Sequence, residues 1–185
     1  MRKVLFLFGQ LNDDDVEWML AKGAKRFVPA GGPLIEQGVP VDAVFILLEG
    51  RLAVWLKGKR GPEREIARLN AGEIVGEMSF VDARPPSATV RAVEDSTVFT
   101  ISKAVLSAKL AADQGFAARF YKALAIYLST TVRERHRALG GAGGGGGVEM
   151  EEEEEEGDEL DANVLDGVYL AGERFDRMVK RVMVS

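Results

Sequence analysis

Cysteine is absent from the 185 residues, which excludes disulfides, thiolate nucleophiles and zinc–sulfur centres at once. Histidine is almost absent. His136 stands alone among Arg133, Glu134, Arg135 and Arg137, so it forms neither a metal cluster nor a pair with a nucleophile, and it reads as a solvated side chain on an exposed helix end. No Walker-type phosphate loop occurs. No catalytic residue, no metal site and no cofactor is therefore expected, and the chain is not read as an enzyme. Apolar runs are short, none approaching the ~18 residues of a membrane helix. Met1 to Phe8 carries two basic residues before a brief apolar stretch; this is too short for a signal peptide and lacks a small-residue cleavage pattern. No membrane partner and a cytoplasmic location are the expectation, with processing into an organelle left open.

Acid and base are distributed unevenly. From Val148 onward there are thirteen acids against four bases, a tail of −9, which leaves sixteen acids against twenty bases, or +4, in the rest of the chain. A mildly basic body can accept an anion, whereas an acidic tail repels nucleic acid and anionic membranes.

Three zones follow. Residues 1–139 have ordinary complexity. Residues 140–157 are a glycine run followed by a glutamate run, a composition that cannot bury apolar surface and reads as a flexible linker. In residues 158–185 apolar residues return. There Val164, Val168, Ala171, Phe175, Met178 and Val182 recur at four, three, four, three and four, with Glu173, Arg174, Asp176, Arg177, Lys180 and Arg181 mainly off that stripe. This predicts an amphipathic helix that docks on its own domain or recognises a partner or a second subunit.

Within the first zone, Asn12 is an N-cap candidate followed by three aspartates, and Val16, Met19 and Leu20 form a helical face ending near Gly23. From Lys25 to Ile101 the grammar changes. Phe27–Val28, Leu34–Ile35, Val44–Leu48, Leu52–Leu56, Glu65–Leu69, Val90–Val93 and Thr97–Ile101 read as strands, punctuated by glycine and proline. Many short strands with regular turn signals predict a mainly β fold with flanking helices, an antiparallel sandwich or jelly roll. Lys103 to Leu139 is helical, with Asp113 capping its long segment and Phe116, Phe120, Leu124, Tyr127 and Thr131 on one stripe.

One stretch carries more than pattern. Gly72-Glu73-Ile74-Val75-Gly76-Glu77-Met78-Ser79 is followed by Ser87-Ala88-Thr89-Val90-Arg91-Ala92, and preceded by Gly31-Gly32-Pro33-Leu34-Ile35-Glu36-Gln37-Gly38 and Glu49-Gly50-Arg51-Leu52. Over about Leu11 to Arg137 the chain resembles the cyclic nucleotide-binding domain family. The resemblance implies an antiparallel β-roll (a double-stranded jelly roll) with an N-terminal helix and a long C-terminal lid helix. It also implies a phosphate-binding cassette, G-E-x-A-x…P-R-A-A-T-V, whose arginine pairs with the cyclic phosphate. At that position this chain has Pro86, which offers neither a cation nor an N–H.

The resemblance sets the candidate ligand-binding residues. Gly76 allows close backbone approach, and Glu77, Met78 and Ser79 form a helix start whose amides suit an anion; Glu77 would also meet the ribose hydroxyl. Ser87, Ala88 and Thr89 would add donors, and Arg84 is the cation nearest Pro86 that could curl back or else only solvate the loop tip. On the lid helix, Tyr127 would stack on a base and Thr130 and Thr131 would hydrogen-bond it; alternatively this face packs on the roll.

Two functions are consistent with these residues. One is a regulatory ligand-sensing module binding cyclic AMP or cyclic GMP in the roll and signalling through the C-terminal helices. The alternative is a degenerate domain that binds no nucleotide and serves as a structural or protein-interaction module. The partners expected are a cyclic nucleotide, and a homodimer or partner protein through the long helix and the tail helix. No basic recognition helix is evident, so DNA is not expected.

Overall fold

The computed structural model describes residues 4–58, 61–140 and 162–184. The linker region beyond Gly140, and side chains at Val164 and Val168, lie outside the described residues.

Eight short strands build the roll: β1 (Ala24–Val28), β2 (Pro33–Ile35), β3 (Ala43–Glu49), β4 (Arg51–Leu56), β5 (Arg64–Asn70), β6 (Ile74–Val75), β7 (Thr89–Ala92) and β8 (Ser96–Ser102). They form two four-stranded sheets, in the orders β1-β8-β3-β6 and β2-β7-β4-β5, with neighbouring strands antiparallel. The chain crosses from one sheet to the other at Gly50, whose φ of 91° is the left-handed conformation. A Cβ there would lie 2.3 Å from Ser96 Oγ, so glycine is required both by backbone and by space.

Strand alternation sends one residue set inward and the next outward. On β3, Ala43, Phe45 and Leu47 join Val28, Leu52, Val90 and Val98 in the interior of the roll. Val44, Ile46 and Leu48 point the other way, into a second apolar cluster shared with helices. This explains why β3 reads as a continuous apolar run: both of its faces are buried.

The helical layer consists of α1 (Val4–Gln10), α2 (Asp13–Lys22), α4 (Lys103–Ala112), α5 (Gln114–Gly140) and α6 (Ala162–Val184), while α3 (Glu77–Val81) sits in the cassette. Asn12 caps α2 in a reciprocal capping box with Asp15. Asp15 is buried, and its carboxylate also takes a two-pronged contact from Arg119 of α5, at 2.6 and 2.8 Å. The guanidinium is held further above its usual range by that hydrogen bond. Asp113 divides the helical stretch after β8: its Oδ1 accepts from the Phe116 amide at 2.9 Å, and Lys109 donates to Oδ2 at 2.7 Å. The α1 helix was not anticipated, because seven apolar-rich residues carry too little period to declare one.

Helix α6 packs on α1 and α2. Ala171, Phe175, Met178 and Val182 of the sequence stripe are buried in the helical cluster, and Phe175 meets Phe8 of α1 at 6.1 Å between ring centroids. Burying two large side chains such as Phe175 and Met178 contributes about 1.5–3 kcal/mol each. Of the two alternatives for this helix, the structure has the one in which it lies on its own domain.

Candidate functional site

The cassette begins where β6 ends. Gly76 is the N-cap of α3, with φ 87°. A Cβ on it would lie 2.9 Å from the Ala43 carbonyl and within 3.8 Å of Ile35 and Phe45 side-chain atoms. The left-handed residue turns the chain sharply against β3, where α3 starts. The amides of the first turn, at Met78 and Ser79, have no acceptor within the helix itself. Ser79 is buried, Met78 is exposed, and Glu77 is half-buried.

After α3 the chain makes the loop 82–88. Ala83 holds a φ of 56°, a left-handed conformation that is costly for a residue with a Cβ. The loop is fastened from the segment after β2. Gly38 donates its amide to the Pro86 carbonyl at 2.8 Å, and the Gln37 amide donates to Thr89 Oγ1 at 3.1 Å. The Gln37 side chain bonds both the N–H and the carbonyl of Lys57, at 2.9 and 3.1 Å. Gln37 thus ties the cassette's return strand to the β4 hairpin. Sequence reading assigned it no role, because its partners lie 20 and 52 residues away and no local spacing records them.

The expected ligand residues separate into groups. Gly76, Glu77, Met78 and Ser79 follow one another at the start of α3, and Ser87, Ala88 and Thr89 lead from the loop into β7. Thr89 is buried, with its hydroxyl oxygen already accepting from Gln37. Arg84 does not join them. Its side chain is 84% exposed, and its Nε lies 4.0 Å from Asp82 Oδ2 while its amide bonds the same carboxylate. It solvates the loop tip, which corrects the expectation that it curls toward the anion site. Lys103, which the sequence reading passed over, begins α4 at the same end of the roll. Its amide donates to the Asp42 carbonyl at 2.8 Å. Burial holds its ammonium below the usual lysine range, against the pull of Asp42 and Asp82.

Tyr127 is a second correction. It is buried in the helical cluster on the back of the sheet, not laid over the cassette opening. Its hydroxyl donates to the Ile74 carbonyl at 2.9 Å and accepts from the Ile74 amide at 3.3 Å. The reason lies in the sheet. β6 is an edge strand in register with β3, Phe45 opposite Val75 and Ile46 opposite Ile74, and just before it Leu47 bonds Glu73, so the bonded positions alternate past Ile74. The Ile74 donor and acceptor therefore face the free edge, where a buried strand needs a partner. Thr131 is likewise spent within its helix, donating to the Tyr127 carbonyl at 2.9 Å; Thr130 is half-buried. Just beyond, Phe80 of α3 meets Phe120 of α5 edge-on at 6.0 Å. So α5 holds the cassette from behind, through Ile74 before it and Phe80 within it.

Among the described residues, no group of three or more His, Asp or Glu side chains is placed to hold a metal ion. No helix there is long and apolar enough to cross a membrane.

A two-sheet roll with a glycine-turned cassette and a helical layer behind it defines a class of β-roll domain. Comparison with known proteins agrees: residues 25–113 match the model of the cyclic nucleotide-binding domain. The cyclic AMP receptor protein of Thermus thermophilus is 33% identical over 95 residues, covering 51% of this chain and 44% of that protein. The crystal structure of the Thermus thermophilus catabolite activator protein aligns with a TM-score of 0.61 at 28% identity, over 74% of this chain and 62% of that one. A cyclic nucleotide-binding domain from Methylobacillus flagellatus aligns with a TM-score of 0.69 at 22% identity, over 79% and 85% of the two chains, a likeness of fold. The chain thus spans less than half the length of the curated receptor protein it matches.

Proposed function

We propose that the chain is a non-enzymatic regulatory module that binds a cyclic purine monophosphate, cyclic AMP or cyclic GMP, at the cassette and passes the event to its helices. The reading rests chiefly on Gly76. A left-handed glycine fitted against the Ala43 carbonyl starts a short helix against β3, and the amides of a helix's first turn favour a phosphate. Glu77 stands next to it as the acceptor for a ribose hydroxyl. The Thermus relative is named a cyclic AMP receptor, which supports the same ligand class. DNA lies outside this proposal, since the similarity to that relative stops at under half of its length.

A second reading has its own observation. Pro86 occupies the cassette's arginine position, its carbonyl is bonded to Gly38, and Arg84 turns outward. A charge-assisted hydrogen bond contributes about 1.5–3 kcal/mol, so its absence lowers affinity roughly tenfold to a hundredfold. The alternative is a domain that holds no nucleotide and works as a scaffold.

Calorimetric titration with cyclic AMP and cyclic GMP separates the two. The sensor reading expects saturable heat at micromolar to millimolar ligand, and an affinity gain of about tenfold or more in Pro86→Arg. No heat from either nucleotide at millimolar concentration leaves the scaffold reading.

A further inference from the structure

We propose that α6 is a latch: its docking on α1 and α2 tightens the cassette, and ligand occupancy in turn tightens α6. The ligand arm of this proposal rests on the nucleotide-binding reading above; the mechanical arm does not.

The docking is specific. Arg174 of α6 donates through Nη1 to the carbonyls of Phe8 and Leu11, at 2.9 and 2.7 Å, and through Nε to Asp13 Oδ1 at 2.7 Å. Phe8 is in the last turn of α1, where carbonyls lack helical partners and a cation is favoured. Asp13 opens α2. One guanidinium therefore stitches the α1–α2 turn to the tail helix. Further along, Arg181 pairs with Glu17 of α2, and Lys25 of β1 donates to the Met183 carbonyl at 3.4 Å. Between these polar contacts lie Phe175, Met178 and Val182, all buried.

The reach to the cassette is through packed side chains. α1 is held between α5 and α6. On one side Phe8 meets Phe175. One residue earlier, Leu7 lines an apolar cavity of about 20 Å³ together with Ile74, Glu77, Phe80, Phe120 and Leu124. Two of these belong to α3 and one to the strand entering it, so the void is bounded by the tail-bearing helix on one side and the cassette on the other. Loss of α6 frees α1 to shift into or away from that space, and the Tyr127 and Phe80 contacts that seat the cassette loosen with it. By linkage, a ligand that orders the cassette favours the docked tail to the same degree.

Hydrogen-exchange mass spectrometry on the full chain tests both arms. Arg174→Ala is expected to speed exchange in α6 and, by at least about threefold, in residues 74–81, with β8 unchanged as the mark of an intact roll. Arg181→Ala removes a contact at the other end and acts in the same sense. Saturating cyclic AMP or cyclic GMP, whichever gives heat in calorimetry, slows α6 exchange, and Arg174→Ala weakens its affinity about fivefold, the low end of ordinary coupling. If both variants free α6 while residues 74–81 exchange as before, the latch is refuted. Nucleotide binding by the wild type with α6 exchange unaltered refutes it equally. If neither nucleotide binds but the variants still loosen residues 74–81, the mechanical arm stands and the ligand reading alone fails.

Discussion

At the scale of single residues, backbone sign matters more than side-chain chemistry in the cassette. Gly76→Ala places a methyl 2.9 Å from a fixed carbonyl at a φ of 87°, and strain of this kind costs about 1–3 kcal/mol. The expected outcome is a lowered urea midpoint together with loss of nucleotide heat. Ala83 is the opposite case, an L-residue at φ 56°. Ala83→Gly removes roughly 1–2 kcal/mol of left-handed strain and adds unfolded-chain entropy of about 0.4–1 kcal/mol. A net gain of about 0.5 kcal/mol is expected, read as a raised midpoint with unchanged slope. The glycines, including Gly50 and Gly76, were legible in the sequence because they are punctuation. The direction of Arg84 was not, since it depends on where Asp82 lies once the loop has closed.

At the scale of elements, seven strands were visible as short apolar segments between turn residues. β6 was not, because two residues have no period to read. What fastens β6 was read differently too: Tyr127 lay on the predicted apolar stripe of α5, but its hydroxyl is needed by the free edge at Ile74, a demand that exists only after the sheet order is known. Tyr127→Phe keeps the ring and removes the oxygen, leaving a buried amide and carbonyl without that partner. A loss of about 1–3 kcal/mol is expected, with faster amide exchange concentrated at residues 74–81 while β4 and β5 remain protected. A uniform loss across both sheets would show that Tyr127 serves the core at large and not the cassette.

At the scale of the whole molecule, the docking of the tail runs against the uneven charge of the chain: bases of the acidic tail meet acids of the basic body. The stripe on α6 announced an amphipathic helix, yet nothing in its spacing told on which surface it would lie. The answer depends on acids far away in sequence, Asp13 and Glu17, meeting Arg174 and Arg181. Asp13 is held below the ordinary carboxylate range, first by its hydrogen bond from Arg174, which outweighs the opposing effect of burial, and then by the charges of Arg174 and Arg177. Asp113 is lowered by Lys109 and the Phe116 amide, and Glu94 by Arg51. The sign follows from linkage. A carboxylate whose folded pKa is depressed stabilises the fold fully above its unfolded value, about 4, and that contribution disappears as pH falls through the lower folded value. These groups lie near the surface, so salt screens them. Stability is therefore expected to be flat, as far as these three groups are concerned, between about pH 7 and 5 and to fall below about pH 4. The Asp13 contact makes the tail a sensitive part: amide protection of α6 should decline on acidification before that of β3 and β8, and Asp13→Asn should flatten this early phase. Parallel loss of protection in α6 and the sheets, in wild type and variant alike, would show that the Arg174 contact does not govern the docking of the tail.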